Sequence, residues 1–256
     1  MGFEKLERIM ELEVDYKTLG ALAIHSSKDA PFETTDSAVV KIGGKPVIPG
    51  SSLKGVIRST LEAMLSAEGV NVCVPMAAIP KAPKKDDGSF KDNYLKSIGR
   101  KQPCSVSNPC PVCEIFGTTA GKQGLSGRAI FLDAKPDGDV SVIERNHVAI
   151  MRDTRSQAGG KLMSPQAVDA GAKFTGTVRV FNYSDWHIGA LINGIKAISL
   201  VGLGAKKTSG YGEVSVTISS LKDKTLKNGH WEEEEKAAEK TYTDAYIKKI
   251  LENKKK

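Results

Sequence analysis

The sequence predicts an α+β fold, ordered strand, helix, strand, strand, helix, strand, with insertions. Three observations predict it. Residues 173–183 (KFTGTVRVFNY) alternate apolar and polar side chains, the period of a half-buried strand. Leu53, Val56, Ile57, Leu61, Met64 and Leu65 recur at helical spacing, and Ile188, Leu191, Ile192, Ile195 and Ile198 do so again. Each helical stretch is flanked by strand candidates.

Residues 11–24 (ELEVDYKTLGALAI) begin with alternation and turn apolar, which reads as a long first strand. Residues 26–36 (SSKDAPFETTD) are polar and loop-like. Ala38–Ile42 and Pro46–Ile48 are short strands around a Gly43-Gly44 turn. A helix over 52–67 follows. Residues 68–128 lack periodicity, hold all four cysteines and several prolines, and read as an insertion. Ala129–Ala134 and Val140–Ile150 are strands, and Met151–Ala172 is a polar arm containing Gly159-Gly160. The clean strand Lys173–Tyr183 leads to a helix over Trp186–Leu200, which Gly202 and Gly204 end. Glu213–Ile218 is the last strand. The Glu232–Glu235 run reads as the solvated start of a helix over Lys236–Lys256, docked by Tyr242, Tyr246, Ile247 and Ile250. This order is the ferredoxin-like plan that the RNA recognition motif shares. The expected division is a core domain over 1–222, with the insertion and an arm at 147–172, then a charged helical extension at 223–256.

Apolar residues make up 40% of the 256, enough for a sizeable core. The net charge is +7, and Trp231–Lys256 holds seven acidic and seven basic residues, so the whole excess lies in residues 1–230. A basic body favours a polyanion partner. No run of ~18 apolar residues exists, so no membrane span is expected. The N-terminal MGFEKLERIM has acidic residues and no apolar centre, unlike a secretory signal. The expected compartment is the cytoplasm, where cysteines serve as metal ligands more often than as disulfides.

Four features carry chemistry. In Ile48–Arg58 (IPGSSLKGVIR) a strand meets a helix through a small-residue turn. Gly50 is suited to a positive φ and Ser51 or Ser52 to capping. Lys54 and Arg58 stand four residues apart on one helical face, an arrangement suited to a phosphate backbone or to an ordinary solvated face. In Gly202–Gly212 (GLGAKKTSGYG) the glycines allow close approach, Lys206 and Lys207 supply charge, Thr208 and Ser209 donate hydrogen bonds, and Tyr211 is placed to stack on a base. His147, Arg152, Arg155 and Lys161 spread along the arm, which reaches across a nucleic acid or is simply a surface loop. Cys104, Cys110 and Cys113 read C-x5-C-x2-C, a zinc pattern in a loop with too few apolar residues to order itself. Cys73 is preferred over His147 as the fourth ligand. Asp29, Glu33 and Asp36 precede the Ile48–Arg58 turn, suited to holding a divalent metal or to solvation alone.

Together these residues resemble the RAMP superfamily of CRISPR proteins, above all the backbone subunit of type III effector complexes, the Csm/Cmr-like branch of the Cas7 group. The likeness runs through most of residues 10–220. It rests on IPGSSLKGVIR at 48–58, CPVCEIFG at 110–117 and GLGAKKTSGYGEV at 202–214. The resemblance implies a ferredoxin-like palm with a zinc-binding insertion and a thumb hairpin at 147–172. It implies copies stacked head to tail along a CRISPR RNA guide, beside other type III subunits, with thumbs interrupting the guide–target duplex. It implies a loop aspartate that cleaves complementary target RNA with Mg²⁺ or another divalent metal. The family's loop ends in Asp, a small residue, Pro, two apolar residues and a basic one. Asp36-Ser37-Ala38-Val39-Val40-Lys41 fits except at Ala38, so the catalytic role falls on Asp36, with Asp29 in reserve. The implied RNA-binding set is His25, Ser51, Ser52, Lys54, Arg58, Arg152, Arg155, Lys206, Lys207, Thr208, Ser209 and Tyr211, and the implied metal set is Cys73, Cys104, Cys110 and Cys113. A structural RNA-binding subunit without catalysis is the alternative.

Overall fold

The computed structural model describes residues 5–25, 37–75, 79–82, 89–99, 104–120, 123–236 and 239–254. The elements are β1 (Arg8–Thr18), β2 (Lys41–Ile42), β3 (Lys45–Pro46), α1 (Gly50–Ala67), α2 (Phe90–Ser97), α3 (Pro111–Phe116), β4 (Gly117–Ala120), β5 (Gln123–Ser126), β6 (Ala129–Phe131), β7 (Lys135–Pro136), β8 (Val142–Glu144), β9 (His147–Ile150), β10 (Gln157–Met163), β11 (Gln166–Val168), β12 (Lys173–Phe181), α4 (Asp185–Val201), β13 (Val214–Lys227), β14 (His230–Glu235) and α5 (Glu239–Lys254).

β1 explains the sheet. Its even positions Met10, Leu12, Val14 and Tyr16 are all buried. Its odd positions carry Glu11, Glu13, Asp15 and Lys17, which face the other way because side chains alternate along a strand. On that polar face Glu11 accepts from Arg179 at 2.7 Å and lies 3.4 Å from Lys224. β1 is central, paired antiparallel with both β12 and β13. The main sheet runs β14-β13-β1-β12-β6, with β7 also on β12. The apolar face is covered by α1 and α4. The two helices pack tightly at Gly194, where a Cβ would lie 2.9 Å from side-chain atoms of both Ile57 and Leu61.

The arm is a jointed hairpin. The segment expected as one strand over 140–150 divides into β8, which pairs with β11, and β9, which pairs with β10. Its stem therefore begins at Val142, ahead of the expected residue 147. Val148, Ile150, Met151 and Met163 are exposed along it.

The C-terminal region departs most from expectation. The last strand of the core does not stop at Ile218 but continues to Lys227, so the expected boundary at 222 falls inside β13. Asn228 and Gly229 both have positive φ and form the two-residue turn into β14. Glu232–Glu235 is thus an edge strand and no helix start. Lysines opposite it decide this: Glu233 pairs with Lys222 and Lys224, and Glu232 with Lys227. The exposed charges also blunt the sheet edge against strand addition. α5 docks as expected through buried Tyr242 and Tyr246, with Ile250 against the core, but Ile247 faces outward and is 49% exposed. Ion pairs Lys196–Glu239 and Lys254–Glu68 fix both of its ends.

α5 seats on α4 at Gly189, where a Cβ would lie 2.0 Å from the Tyr242 carbonyl oxygen. Gly189→Ala is therefore expected to lift α5 from α4 at a cost of about 1–3 kcal/mol, the range for overpacking. Amide hydrogen exchange checks this: protection should fall across 239–254 and persist in β1 and β12.

Candidate nucleic-acid groove and cysteine cluster

α1 starts at Gly50, with Pro49 as the capping residue and no side-chain cap, so Ser51 and Ser52 do not cap it. The Gly50 N–H donates to Asp133 Oδ1 at 2.7 Å. An acid from the turn after β6 thus already occupies part of the positive end of this helix. The glycine is needed for closeness and not for a positive φ: a Cβ at Gly50 would lie 2.1 Å from the Phe131 carbonyl oxygen. Gly50→Ala must push α1 off the strand beside it. We expect a loss of about 3 kcal/mol, because the obstructing atom is backbone in the sheet and cannot rotate away. Denaturant unfolding measures it, with an unchanged midpoint as the contrary result.

The glycine-rich loop between α4 and β13 is held tightly. Leu203 N donates to Gly212 O at 2.8 Å, Ala205 N to Ala23 O at 2.7 Å and Gly212 N to Ala21 O at 2.8 Å. Cβ atoms at Gly204 and Gly212 would meet the carbonyls of Ala23 and Leu203 at 2.4 and 2.0 Å. Both glycines have positive φ, as does Lys206 at 57°. This backbone lays the loop along residues 21–25 and leaves Lys207, Thr208 and Ser209 exposed on a 3₁₀ turn. A groove results, lined by His25, Ser52, Val56, Ser59, Leu203 and Lys207. Three residues expected to bind RNA, His25, Ser52 and Lys207, thereby meet from separate stretches of chain. Ser51 is exposed and Lys54 half-buried on the same helix. Burial and the neighbouring Arg58 charge press the Lys54 ammonium below its usual pKa.

Tyr211 does not present a stacking face. It is 3% exposed, its hydroxyl lies 2.7 Å from His147 Nε2, and the Arg145 guanidinium sits 5.2 Å from its ring centre. Tyr211 joins the loop to the root of the hairpin. This contact also removes His147 from the cysteines as an alternative ligand. Arg152 and Arg155 are exposed at the hairpin tip, where Arg155 has φ 55°.

Asp29, Glu33 and Asp36 lie outside the described residues. The chain on both sides of them is pinned at Gln166. Its carbonyl lies 3.1 Å from His25 Nε2, and its N–H donates to Ser37 O at 3.0 Å. His25 and Val39 form a β-bridge, and Ala38 is buried. The polar segment therefore leaves and re-enters the fold beside the groove.

All four cysteines converge, their sulfur atoms within 4.8 Å of one another. Cys73 Sγ is 3.2 Å from Cys113 Sγ and 3.8 Å from Cys110 Sγ, and Cys110 N–H donates to Cys104 Sγ at 3.2 Å. Four thiolates about 2.3 Å from a tetrahedral zinc stand roughly 3.8 Å apart, so the donor set fits such an ion. Hydrogen bonds from Cys113 and Cys73 hold the Cys110 thiol well below its usual pKa, while the bond with Cys110 raises that of Cys113. α3 carries Cys113 and is anchored elsewhere. Phe116 stacks on Phe131 with ring centres 5.7 Å apart, and Glu114 Oε1 accepts from His187 Nε2 at 3.1 Å. Because Ser184 N–H donates to His187 Nδ1, Nε2 carries the ring proton. Burial keeps that histidine neutral by lowering its pKa.

Arg58 faces these sulfurs and not the groove. Nε donates to Glu62 Oε1 at 2.8 Å, Nη1 to Gly117 O at 3.0 Å and Nη2 to Cys113 Sγ at 3.7 Å. Sequence spacing put it on one face with Lys54, and only the fold shows what lies beside it. Asp133 and the Glu114–His187 pair were not anticipated either, because their partners are 83 and 73 residues away.

The RAMP superfamily model matches residues 16–215, the stretch that runs from the end of the central strand through α1, the hairpin and the glycine loop. The chain belongs to the RAMP superfamily. Within that family it is 27% identical over 224 residues to a protein of Methanocaldococcus jannaschii named CRISPR system Cms endoribonuclease Csm3. The alignment covers 82% of this chain and 76% of the archaeal one. For this RAMP chain, then, the superfamily's residues include all three walls of the groove. Among the described residues no helix is long and apolar enough to cross a membrane.

Proposed function

We propose that this RAMP chain is a backbone subunit of a type III CRISPR ribonucleoprotein. It binds the CRISPR RNA guide, stacks head to tail with further copies and other type III subunits in the cytoplasm, and cleaves complementary target RNA. The observation that carries this reading is the groove. There His25, Ser52 and Lys207 meet; Lys206, Thr208 and Ser209 belong to the same loop as Lys207, and Ser51 and Lys54 to the same helix as Ser52. Hydroxyls, lysines and backbone contact phosphates without reading bases, which suits a guide of any sequence. Base pairing then supplies specificity.

Three further supports stand beside it. The strands that correspond to the β-α-β-β-α-β plan are β1, β6, β12 and β13, and they lie in the spatial order fourth, first, third, second. That order supports a ferredoxin-like palm. The hairpin bearing Arg152 and Arg155 supports a thumb. The converged cysteines support a structural zinc. Asp36 is the proposed catalytic acid, with Asp29 in reserve and Mg²⁺ or another divalent metal as its cofactor. The likeness to a protein named an endoribonuclease supports the activity, and the pattern Asp36-Ser37-Ala38-Val39-Val40-Lys41 supports its place in the chain. Arg58 leaves the guide-binding set, since its donors are engaged at Glu62, Gly117 and Cys113.

The test is a reconstituted complex containing this chain, incubated with guide and complementary RNA in Mg²⁺. Cuts at a regular spacing that disappear in chelator support the reading. Target binding without any cut makes the subunit structural, and no guide binding refutes the assignment altogether.

A further inference from the structure

We propose that Arg58 is the counter-cation of the four-cysteine metal site, a positioning residue for the metal rather than a contact to RNA. The inference rests on the zinc reading of the cysteines and goes beyond it. A divalent ion held by four thiolates leaves a net charge of two minus in a largely buried place. Cys113 is 0% exposed and Cys73 2%. Buried charge without compensation is costly. Arg58 brings a positive charge to Cys113 from another part of the chain, shared with the Glu62 carboxylate that it also pairs with. Its side chain is 17% exposed, and its three kinds of nitrogen each have a separate partner: a carboxylate, a backbone carbonyl and a sulfur.

The geometry suits a clamp as well as a charge. Gly117 follows the last residue of α3, so the guanidinium holds the end of the helix on which Cys113 sits. Its central carbon also lies 6.0 Å from the Phe116 ring centre. Glu62, one turn further along α1, keeps the fork aimed at the sulfurs. A planar fork is what separates Arg from Lys in such a place. Residues that hydrogen-bond metal ligands typically alter metal affinity by about 10–100-fold when removed.

Full-length wild type, Arg58→Met and Arg58→Lys are compared in three measurements. Zinc affinity is read by competition with a chromophoric chelator. Substitution with cobalt reads the thiolate-to-metal charge-transfer band. The salt dependence of RNA affinity is taken on zinc-saturated protein. Wild type is expected to hold one zinc. Arg58→Met should bind it about 10–100-fold more weakly, with Arg58→Lys between. The RNA salt slope of Arg58→Met should equal that of wild type. An unchanged zinc affinity in Arg58→Met overturns the proposal, and so does a salt slope smaller by about one, which marks a lost phosphate contact. If Arg58→Met does not fold, Arg58→Lys decides: wild-type affinity overturns the proposal and weakened affinity supports it. A wild-type chain that takes up no zinc refutes the metal reading itself, and that outcome is visible before any variant is made.

Discussion

Asp36→Ala is expected to lower target-RNA cleavage by the assembled complex about 10²–10⁴-fold, the range for losing a positioned acid–base group. Guide affinity should not fall, because the change removes a negative charge beside a polyanion. The expectation is built from the chain on either side of the acid. Ser37 accepts from Gln166 N–H at 3.0 Å, and His25 contacts the Gln166 carbonyl at 3.1 Å. His25 in turn lines the groove with Ser52 and Lys207. His25 and Ser37, which bracket the segment holding Asp36, are thus both fixed at Gln166, with His25 in the wall of the groove proposed to hold the guide. Asp29→Ala serves as the comparison. Cleavage within a few-fold of wild type in Asp29→Ala, together with loss in Asp36→Ala, places the chemistry at Asp36. The opposite pattern moves it to Asp29. Retained cleavage in both assigns it to another subunit.

Much of the core can be read directly from the sequence, because its signals are local. The alternation in Lys173–Phe181 and the helical repeats of Leu53–Leu65 and Ile188–Ile198 are properties of consecutive residues, and each becomes the element its period dictates. Long-range partners are not legible in that way. The four glutamates of β14 look like a solvated run, since the lysines that make them a strand lie across a turn in β13. The Asn228-Gly229 pair was the local signal that marked this hairpin. Gly50 and Tyr211 show a second limit. A glycine or an aromatic has several uses, and only the neighbours choose among them. Phe131 backbone requires the glycine for its size, and His147 with Arg145 turns the tyrosine inward. The site divides likewise. Spacing alone identified three of the four cysteines as a set, whereas Cys73 reaches them only through the fold. Spacing links Arg58 to Lys54, four residues away, whereas its contact with Cys113, 55 residues away, is visible only in the fold.

The second large effect is expected at the cysteines. Cys113→Ser should release the metal and lower the melting temperature by about 6–16 °C. The magnitude follows in two steps. Structural zinc contributes about 10–16 kcal/mol in apparent terms where a small domain folds only around the metal; here Phe116 and Glu114 hold α3 independently of it, so release of the ion is expected to cost about 3–4 kcal/mol. In a chain of this size each kcal/mol moves the midpoint by about 2–4 °C. The damage should not stay within the insertion. Val112, Ile115 and Phe116 of α3 belong to the main core, Phe116 stacks on Phe131 of β6, and Glu114 joins α4 at His187. Loosening α3 therefore loosens the contact between α1 and the sheet, and with it the wall of the groove that carries Ser52. Serine is close in size to cysteine, so a cavity does not account for a shift this large, and lost coordination does. Elemental analysis and a thermal melt on the same preparations decide the matter. Zinc near one per chain in wild type, absent in Cys113→Ser and accompanied by the lower melting point, is the expected result. A variant that melts with wild type, or a wild type that melts identically after exhaustive chelation, shows that the four thiols stabilise the fold by packing alone.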